Sequence, residues 1–335
     1  MKTPIAVLIS DVHFNLNTLE VATNSLKQAV HKANDLGIIL IIAGDLHDSK
    51  ANIRAECLNA ITQQLVHVHT HTIILVGNHD KINEKSEGAS AIQVLSQIPK
   101  VTVYGGSGFY DKISNFYFIP YQHDTDKLKV YLKTIPKNAT VIMHQGLSGS
   151  ASGEYIQDKT AITSSDVAGL RIISGHYHTR QTIKLPNGGK WDYIGNPYSL
   201  TFGEASDPEK GYQILYADGS LEFISTNLRK HIIIELTADK HGCHCEKGFI
   251  VNTDDLVWVK VSGPKEFVQK ITKEYIKNYW VREASFKLDL IPTITTLAPV
   301  KKERSVAELL DAVIDSLTDV TPERKVVLKE LWKGL

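Results

Sequence analysis

Residues 5–13 read IAVLISDVH, residues 38–45 read IILIIAGD, and residues 72–80 read TIILVGNHD. Each is a short apolar run, rich in Ile, Leu and Val, that breaks off at Gly, Asp or His. Runs of this length suit strands buried on both faces. Between them, Asn17 to Leu36 and Arg54 to Leu65 carry helical spacing. The segment therefore reads β-α-β-α-β and predicts parallel strands joined by crossover helices. In such sheets ligands bind just outside the carboxyl ends of the strands. The polar residues fall at that end.

The pattern continues through predicted strands at Val101–Tyr104, Phe116–Ile119, Thr140–Met143 and Arg171–Ser174, with Gly146 to Gly153 as a Gly- and Ser-rich loop. Beyond Gly175 the segments Thr179–Leu185, Trp191–Ile194, Tyr212–Tyr216 and Leu221–Ser225 have hairpin spacing and predict an antiparallel second sheet. The expected fold class is α/β, a two-sheet β-sandwich with flanking helices. From about Lys230 the chain reads as a small α+β unit, with strands including Leu256–Val261 and Trp280–Leu288 and a helix near Lys265–Asn278. A Pro- and Lys-containing linker then leads to two amphipathic helices. Val306, Leu309, Leu310, Val313 and Leu317 stripe the first, and Val327, Leu328, Leu331 and Trp332 the second, which Thr321-Pro322 opens.

At 335 residues the chain exceeds what one core usually covers. Its 42% apolar and 22% charged content is ordinary for a globular protein. No apolar run approaches the roughly 18 residues of a membrane helix, so a cytoplasmic protein without membrane contact is expected. The cysteines, Cys57, Cys243 and Cys245, are too sparse for a disulfide framework. Lys plus Arg equals Asp plus Glu at 37 each, which excludes a broad basic field for nucleic-acid capture. DNA binding would have to be local, metal-assisted or shared with a partner. The unusual number is 14 histidines.

Metal-type ligands concentrate in Asp11-Val12-His13, Gly44-Asp45, Gly77-Asn78-His79-Asp80, His144 and Gly175-His176-Tyr177-His178. Nearly all follow a predicted strand directly. Carboxylate and imidazole together can hold two cations a few ångströms apart, which clamp a phosphate and generate hydroxide from water. One Asp can bridge both through its two oxygens.

In this order the motifs resemble the calcineurin-like metallophosphoesterases over about residues 5 to 180. The resemblance implies that Asp11, His13, Asp45 and His178 hold one metal, and that Asp45, Asn78, His144 and His176 hold the other. It makes His79 the non-ligand histidine that stabilises the transition state or protonates the leaving oxygen. Asp45-Leu46 followed by Asp48-Ser49, Met143-His144-Gln145-Gly146, Tyr193 to Pro197, and Phe202-Gly203-Glu204 are similar to segments of SbcD-type DNA nuclease subunits. Many family members carry a histidine three residues after the bridging Asp, where this chain has Asp48, with His47 one place earlier.

What this narrower resemblance implies is a DNA exonuclease and endonuclease subunit of an SbcCD-like recombination and repair complex, with Mn²⁺ or Mg²⁺ as the two cations. Its partners are double-stranded DNA ends, single-stranded DNA and an SbcC-like coiled-coil ATPase, and the chain works as a homodimer. The domains would be 1–229 for the phosphoesterase, 230–291 for a capping and DNA-binding unit, 292–303 for the linker and 304–335 for the ATPase-binding helices. The length, short for a bacterial SbcD, suggests a phage-type counterpart acting in the host cytoplasm.

A small-molecule phosphodiesterase or phosphoprotein phosphatase on the same scaffold is the alternative. The roughly one hundred residues beyond the phosphoesterase domain count against it. A scaffold that lost its metals is disfavoured by the full ligand set. His241-Gly242-Cys243-His244-Cys245 is too crowded for tetrahedral zinc and reads as a surface loop. Lys301, Lys302 and Arg304 read as solvated linker, and His67, His69 and His71 lie at the wrong end of a strand for catalysis.

Overall fold

The computed structural model describes residues 2–83, 89–112, 114–151, 162–207, 209–246, 248–293, 306–317 and 320–333, and, among these, not the side chains of 306–309, 312, 332 and 333. The sequence assignments to residues 152–153 and to 294–305, which hold most of the linker and its Lys and Arg residues, lie outside the described residues.

The opening segment forms β1 (Pro4–Ile9), α1 (Leu19–Leu36), β2 (Ile39–Ile42), α2 (Ala55–Leu65), β3 (Thr72–Leu75) and β4 (Val101–Tyr104). These four strands run parallel. Alternation divides their side chains: Val7 and Ile9 pack under α1 and α2, while Ala6 and Leu8 face the second sheet. Gly37 ends α1 in the left-handed conformation at φ 65° and caps Ala33 and Asn34 through its N–H.

The second layer comprises β5 (Phe109–Asp111), β6 (Phe116–Ile119), α3 (Thr125–Thr134), β7 (Thr140–His144), β8 (Arg171–Gly175), β9 (Thr182–Lys184) and β10 (Lys190–Tyr193). Its order is β5-β6-β7-β8-β10-β9. The inner strands are parallel and only the edge strands are antiparallel. The expected antiparallel second sheet is thus corrected. Of the hairpin segments, β11 (Gly211–Tyr216) and β12 (Leu221–Ser225) join the first sheet instead, where β11 pairs antiparallel with β1. Hairpin spacing tells which neighbours pair but not which sheet the hairpin enters. The burial of Gly211 to Leu215 on both faces demanded an inner position. The two sheets meet through Leu8, Ile41, Ile73, Phe118, Ile142 and Ile173, and α3 covers the outer face of the second.

Beyond the sandwich, β13 (His231–Asp239), β14 (Gly242–His244), β15 (Leu256–Pro264), α4 (Lys265–Val268), α5 (Lys273–Ile276) and β16 (Ser285–Thr293) form a third sheet in the order β14-β13-β15-β16. Three expectations are corrected here. The single helix near Lys265–Asn278 is two short ones, Trp280 belongs to a helical turn before the last strand, and 241–245 contains an edge strand with Cys243 buried. Residues 292 and 293 continue β16. The chain closes with α6 (Val306–Ser316) and α7 (Pro322–Lys333), joined by Lys329 Nζ to Asp315 at 2.7 Å. Among their described side chains Leu310, Val313, Leu317, Val326, Val327, Leu328 and Leu331 remain exposed. No described helix is long and apolar enough to cross a membrane.

Candidate metal centre

The carboxyl ends of β1, β2, β3, β7 and β8 converge on one edge of the sandwich. The turns there are tight: Asp11, His13, Asp45 and His176 have φ of 54°, 50°, 49° and 89°, in the left-handed region. Each such residue costs on the order of 1–3 kcal/mol, so something must hold it. Asp11 N–H donates to Gly44 O and His13 N–H to Asp45 O, both at 3.0 Å. The glycines in the motifs have a steric reason. A Cβ on Gly44 would run into the His144 ring, and one on Gly77 into the Asp45 carboxylate.

The ligand candidates come together. Asp11, His13 and His178 form one group, Asp45, His144 and His176 a second, and His13, Asp48 and His79 a third that shares His13 with the first, with the donor atoms of each within 4.8 Å of one another. Asp45 Oδ2 lies 3.2 Å from His144 Nε2 and 3.8 Å from His13 Nε2, so it faces the first two groups. Asn78 Oδ1 lies 2.9 Å from His176 Nδ1 and 3.1 Å from His144 Nε2. His79, at the rim with its side chain 38% exposed, sets its Nδ1 3.0 Å from Asp48 O.

The donor chemistry fits cations. His13 Nδ1 donates to Asp48 Oδ1 at 3.0 Å and His178 Nδ1 to Glu204 Oε1 at 2.9 Å, so each ring turns its Nε2 toward the other, 3.2 Å away. His144 Nδ1 donates to Ala43 O at 2.7 Å, which aims Nε2 at the oxygens of Asp45 and Asn78. Nitrogen and oxygen atoms that converge in this way need positive charge among them, either protons on the rings or cations in their place. Oxygen and imidazole nitrogen in this mixture suit a borderline divalent cation.

The same field draws protons. Burial opposes charge on His13, but its hydrogen bond to Asp48 and the charges of Asp45, Asp11 and Asp48 push it up to about 9. Burial likewise opposes charge on His144, and Asp45 outweighs it, again reaching about 9. Asp45, despite burial, is held far below the carboxylate range by His144, His13 and His79. Burial and the neighbouring His144 hold His176 down at about 4, the neutral form a ligand needs.

Sequence reasoning left several supporting residues without a role. Asp48, whose role stayed open, orients His13 through its carboxylate and His79 through its carbonyl. Asp80 is fully buried and accepts from His47 N–H at 2.7 Å, Gly77 N–H at 2.8 Å and Leu46 N–H at 3.3 Å, tying the second motif to the third. Glu204 holds His178 and meets the buried Lys210 Nζ at 3.2 Å. Phe202-Gly203-Glu204 stood out in the sequence, but no spacing rule linked it to His178. His47 is buried, accepts from Ser49 N–H at 3.2 Å and belongs to none of the three groups.

A two-layer sandwich of mixed sheets with a carboxylate, amide and imidazole cluster at its strand ends defines a metallophosphoesterase. The chain belongs to the calcineurin-like phosphoesterase family, whose pattern matches residues 6–180, more than half of its length. Protein 244L of Invertebrate iridescent virus 6, which carries a phosphoesterase name, is 25% identical over 211 residues, 60% of this chain and 72% of that one. Among solved structures, a dimetal phosphatase from Danio rerio aligns with 64% of this chain and 93% of its own at 11% identity and TM-score 0.44. A purple acid phosphatase from yellow lupin, Lupinus luteus, aligns with 66% of this chain and 51% of its own at 13% identity and TM-score 0.44. An archaeal phosphodiesterase aligns with 65% of this chain and 98% of its own at 14% identity and TM-score 0.37.

Proposed function

We propose that this metallophosphoesterase is a DNA nuclease subunit of the SbcD kind, cutting phosphodiesters as exonuclease and endonuclease with two Mn²⁺ or Mg²⁺ ions. Asp11, His13, Asp45 and His178 would hold one cation, and Asp45, Asn78, His144 and His176 the other. Such cations, when bound, neutralise phosphoryl oxygens and acidify water. In hydrolysis a water oxygen bonds to phosphorus while the leaving oxygen departs with the bonding pair. His79 serves that departure. With both ring nitrogens protonated, Nδ1–H would be engaged by Asp48 O and Nε2–H, at the exposed rim, would pass its proton to the leaving oxygen, while the attacking water gives up a proton to solvent.

The observation that carries the nuclease reading is the architecture past the family's matched region. A third sheet and two helices with exposed Leu and Val side chains follow the sandwich. Hydrolysis of a small ester requires neither, whereas a long substrate and a protein partner could use both. In this reading α6 and α7 dock on an SbcC-like coiled-coil ATPase, since exposed apolar faces of this kind mark interaction sites, and the chain acts as a homodimer in the cytoplasm.

A second reading, a small-molecule phosphodiesterase or phosphoprotein phosphatase, is favoured by charge. The formal net charge is zero. Lys260 and Lys287, which approach the Trp258 ring in the third sheet, are offset by Glu235 at 3.8 Å and Asp289 at 3.4 Å. The test is to incubate the full chain with Mn²⁺, 5′- or 3′-labelled duplex DNA and bis-p-nitrophenyl phosphate, with and without a coiled-coil ATPase of the SbcC class. The nuclease reading expects DNA cleavage and co-purification with the ATPase that is lost on deleting residues 304–335. Cleavage of the small ester alone, under every condition, would favour the second reading.

A further inference from the structure

Glu204 sits between the metal centre and the third sheet. One carboxylate oxygen accepts from His178 Nδ1–H at 2.9 Å. The other accepts from Asn196 Nδ2 at 2.9 Å and Leu200 N–H at 3.1 Å, and meets Lys210 Nζ at 3.2 Å. With both oxygens committed, the carboxylate cannot turn without leaving buried donors unpaired, and such a group costs on the order of 1–3 kcal/mol.

Two residues before it, Phe202 starts the same 3₁₀ turn. Its ring packs edge-on against His231 at 4.7 Å between centroids and against Trp258 at 5.6 Å. His231 opens β13 and Trp258 lies on β15. His231 Nδ1 is in turn 3.0 Å from Ser199 Oγ, and Trp258 Nε1–H donates to Asp289 at 3.0 Å. One short turn thus carries a contact to the third sheet at its first residue and a contact to His178 at its last.

We propose that Phe202 and Glu204 form a strut through which the third sheet sets the orientation of His178. The proposal rests on the two-metal reading for its consequence, because His178 is there a ligand. Glu204 fixes the ring and its tautomer, and Trp258 and His231 hold Phe202 at the other end of the same turn. Both are positioning residues. A partner or substrate that displaced the third sheet would act on the metal centre by this route.

The experiment uses the full chain and two readouts. The first is the ¹⁵N spectrum of the His178 side chain without added metal, which reports whether Nδ1 alone carries the proton. The second is calorimetric titration with Mn²⁺. Wild type, Glu204→Ala, Trp258→Ala and the double variant are compared, with circular dichroism and thermal melting to check folding. Glu204→Ala is expected to mix the His178 tautomers and to weaken one Mn²⁺ site roughly 10- to 100-fold, the range for residues that orient a ligand. Trp258→Ala should move the same resonance and weaken the same site by less, and add nothing in the Glu204→Ala background. Unmoved His178 resonances in Trp258→Ala, or losses that add in the double variant, would overturn the strut. Wild type that binds no Mn²⁺ would instead overturn the metal reading, and the tautomer readout would still decide the strut.

Discussion

His13 and His178 face each other through their Nε2 atoms at 3.2 Å, each with its Nδ1 already given to a carboxylate, Asp48 for one and Glu204 for the other. Two imidazole nitrogens at that distance need positive charge between them, a proton on one ring or a cation in its place. The pair comes from opposite sheets, His13 following β1 and His178 following β8. Closing the sandwich therefore builds the site, and local sequence alone does not.

His79 is expected to act in the chemical step and not in binding. Replacing it by Gln should leave Mn²⁺ stoichiometry unchanged and lower kcat by roughly 10²- to 10⁴-fold, the usual worth of general acid–base catalysis. Hydrolysis of bis-p-nitrophenyl phosphate at saturating Mn²⁺ measures this. A rate near wild type would remove His79 from the mechanism, and lost metal would make it a ligand.

Asp45 faces both ligand groups through Oδ2 while its Oδ1 accepts from His79 N–H at 2.8 Å. Asp45→Ala should therefore weaken both metal sites together. Calorimetry that still finds two tight Mn²⁺ sites in this variant would show that another residue bridges.

Much of this was legible in the sequence. The β-α-β-α-β opening and the ligand motifs announced themselves because each strand is buried on both faces and its end residues need unusual backbone. The roles of Asp48 and Glu204 were not legible, and neither was Lys210. Their work is to orient His13, His79 and His178 across 26 to 35 residues of chain, and no periodicity marks such partners. The sheet that receives β11 was misjudged for a similar reason: it is decided by burial in the closed sandwich.

Glu204 gives a pH dependence. Burial raises its pKa, but the hydrogen bond from His178, the His178 and Lys210 charges and Asn196 outweigh this and hold it at about 2, against 4.5 for the free residue. A carboxylate depressed in the folded state contributes stability that is fully present above its unfolded value and lost as pH falls through the folded one. The contribution, on the order of 3 kcal/mol, should thus fade between about pH 4.5 and 2. Urea unfolding of wild type and Glu204→Gln from pH 6 to 3 should show a stability gap that narrows toward acid. A gap independent of pH would contradict the assignment.

Asp80 accepts backbone N–H groups on both oxygens in a fully buried position. Asp80→Asn would aim an amide N–H₂ at one of those donors and leave it unpaired, a cost of about 1–3 kcal/mol. Thermal melting should fall by several degrees without loss of the fold. An unchanged midpoint would mean that the motif tolerates an amide there.

One strand-end cluster is expected to hold two cations. Diffraction from crystals soaked in Mn²⁺, recorded at the manganese absorption edge, tests it most directly. Two anomalous peaks are expected, one among Asp11, His13, Asp45 and His178 and the other among Asp45, Asn78, His144 and His176. A single peak, or peaks away from these side chains, would contradict the account.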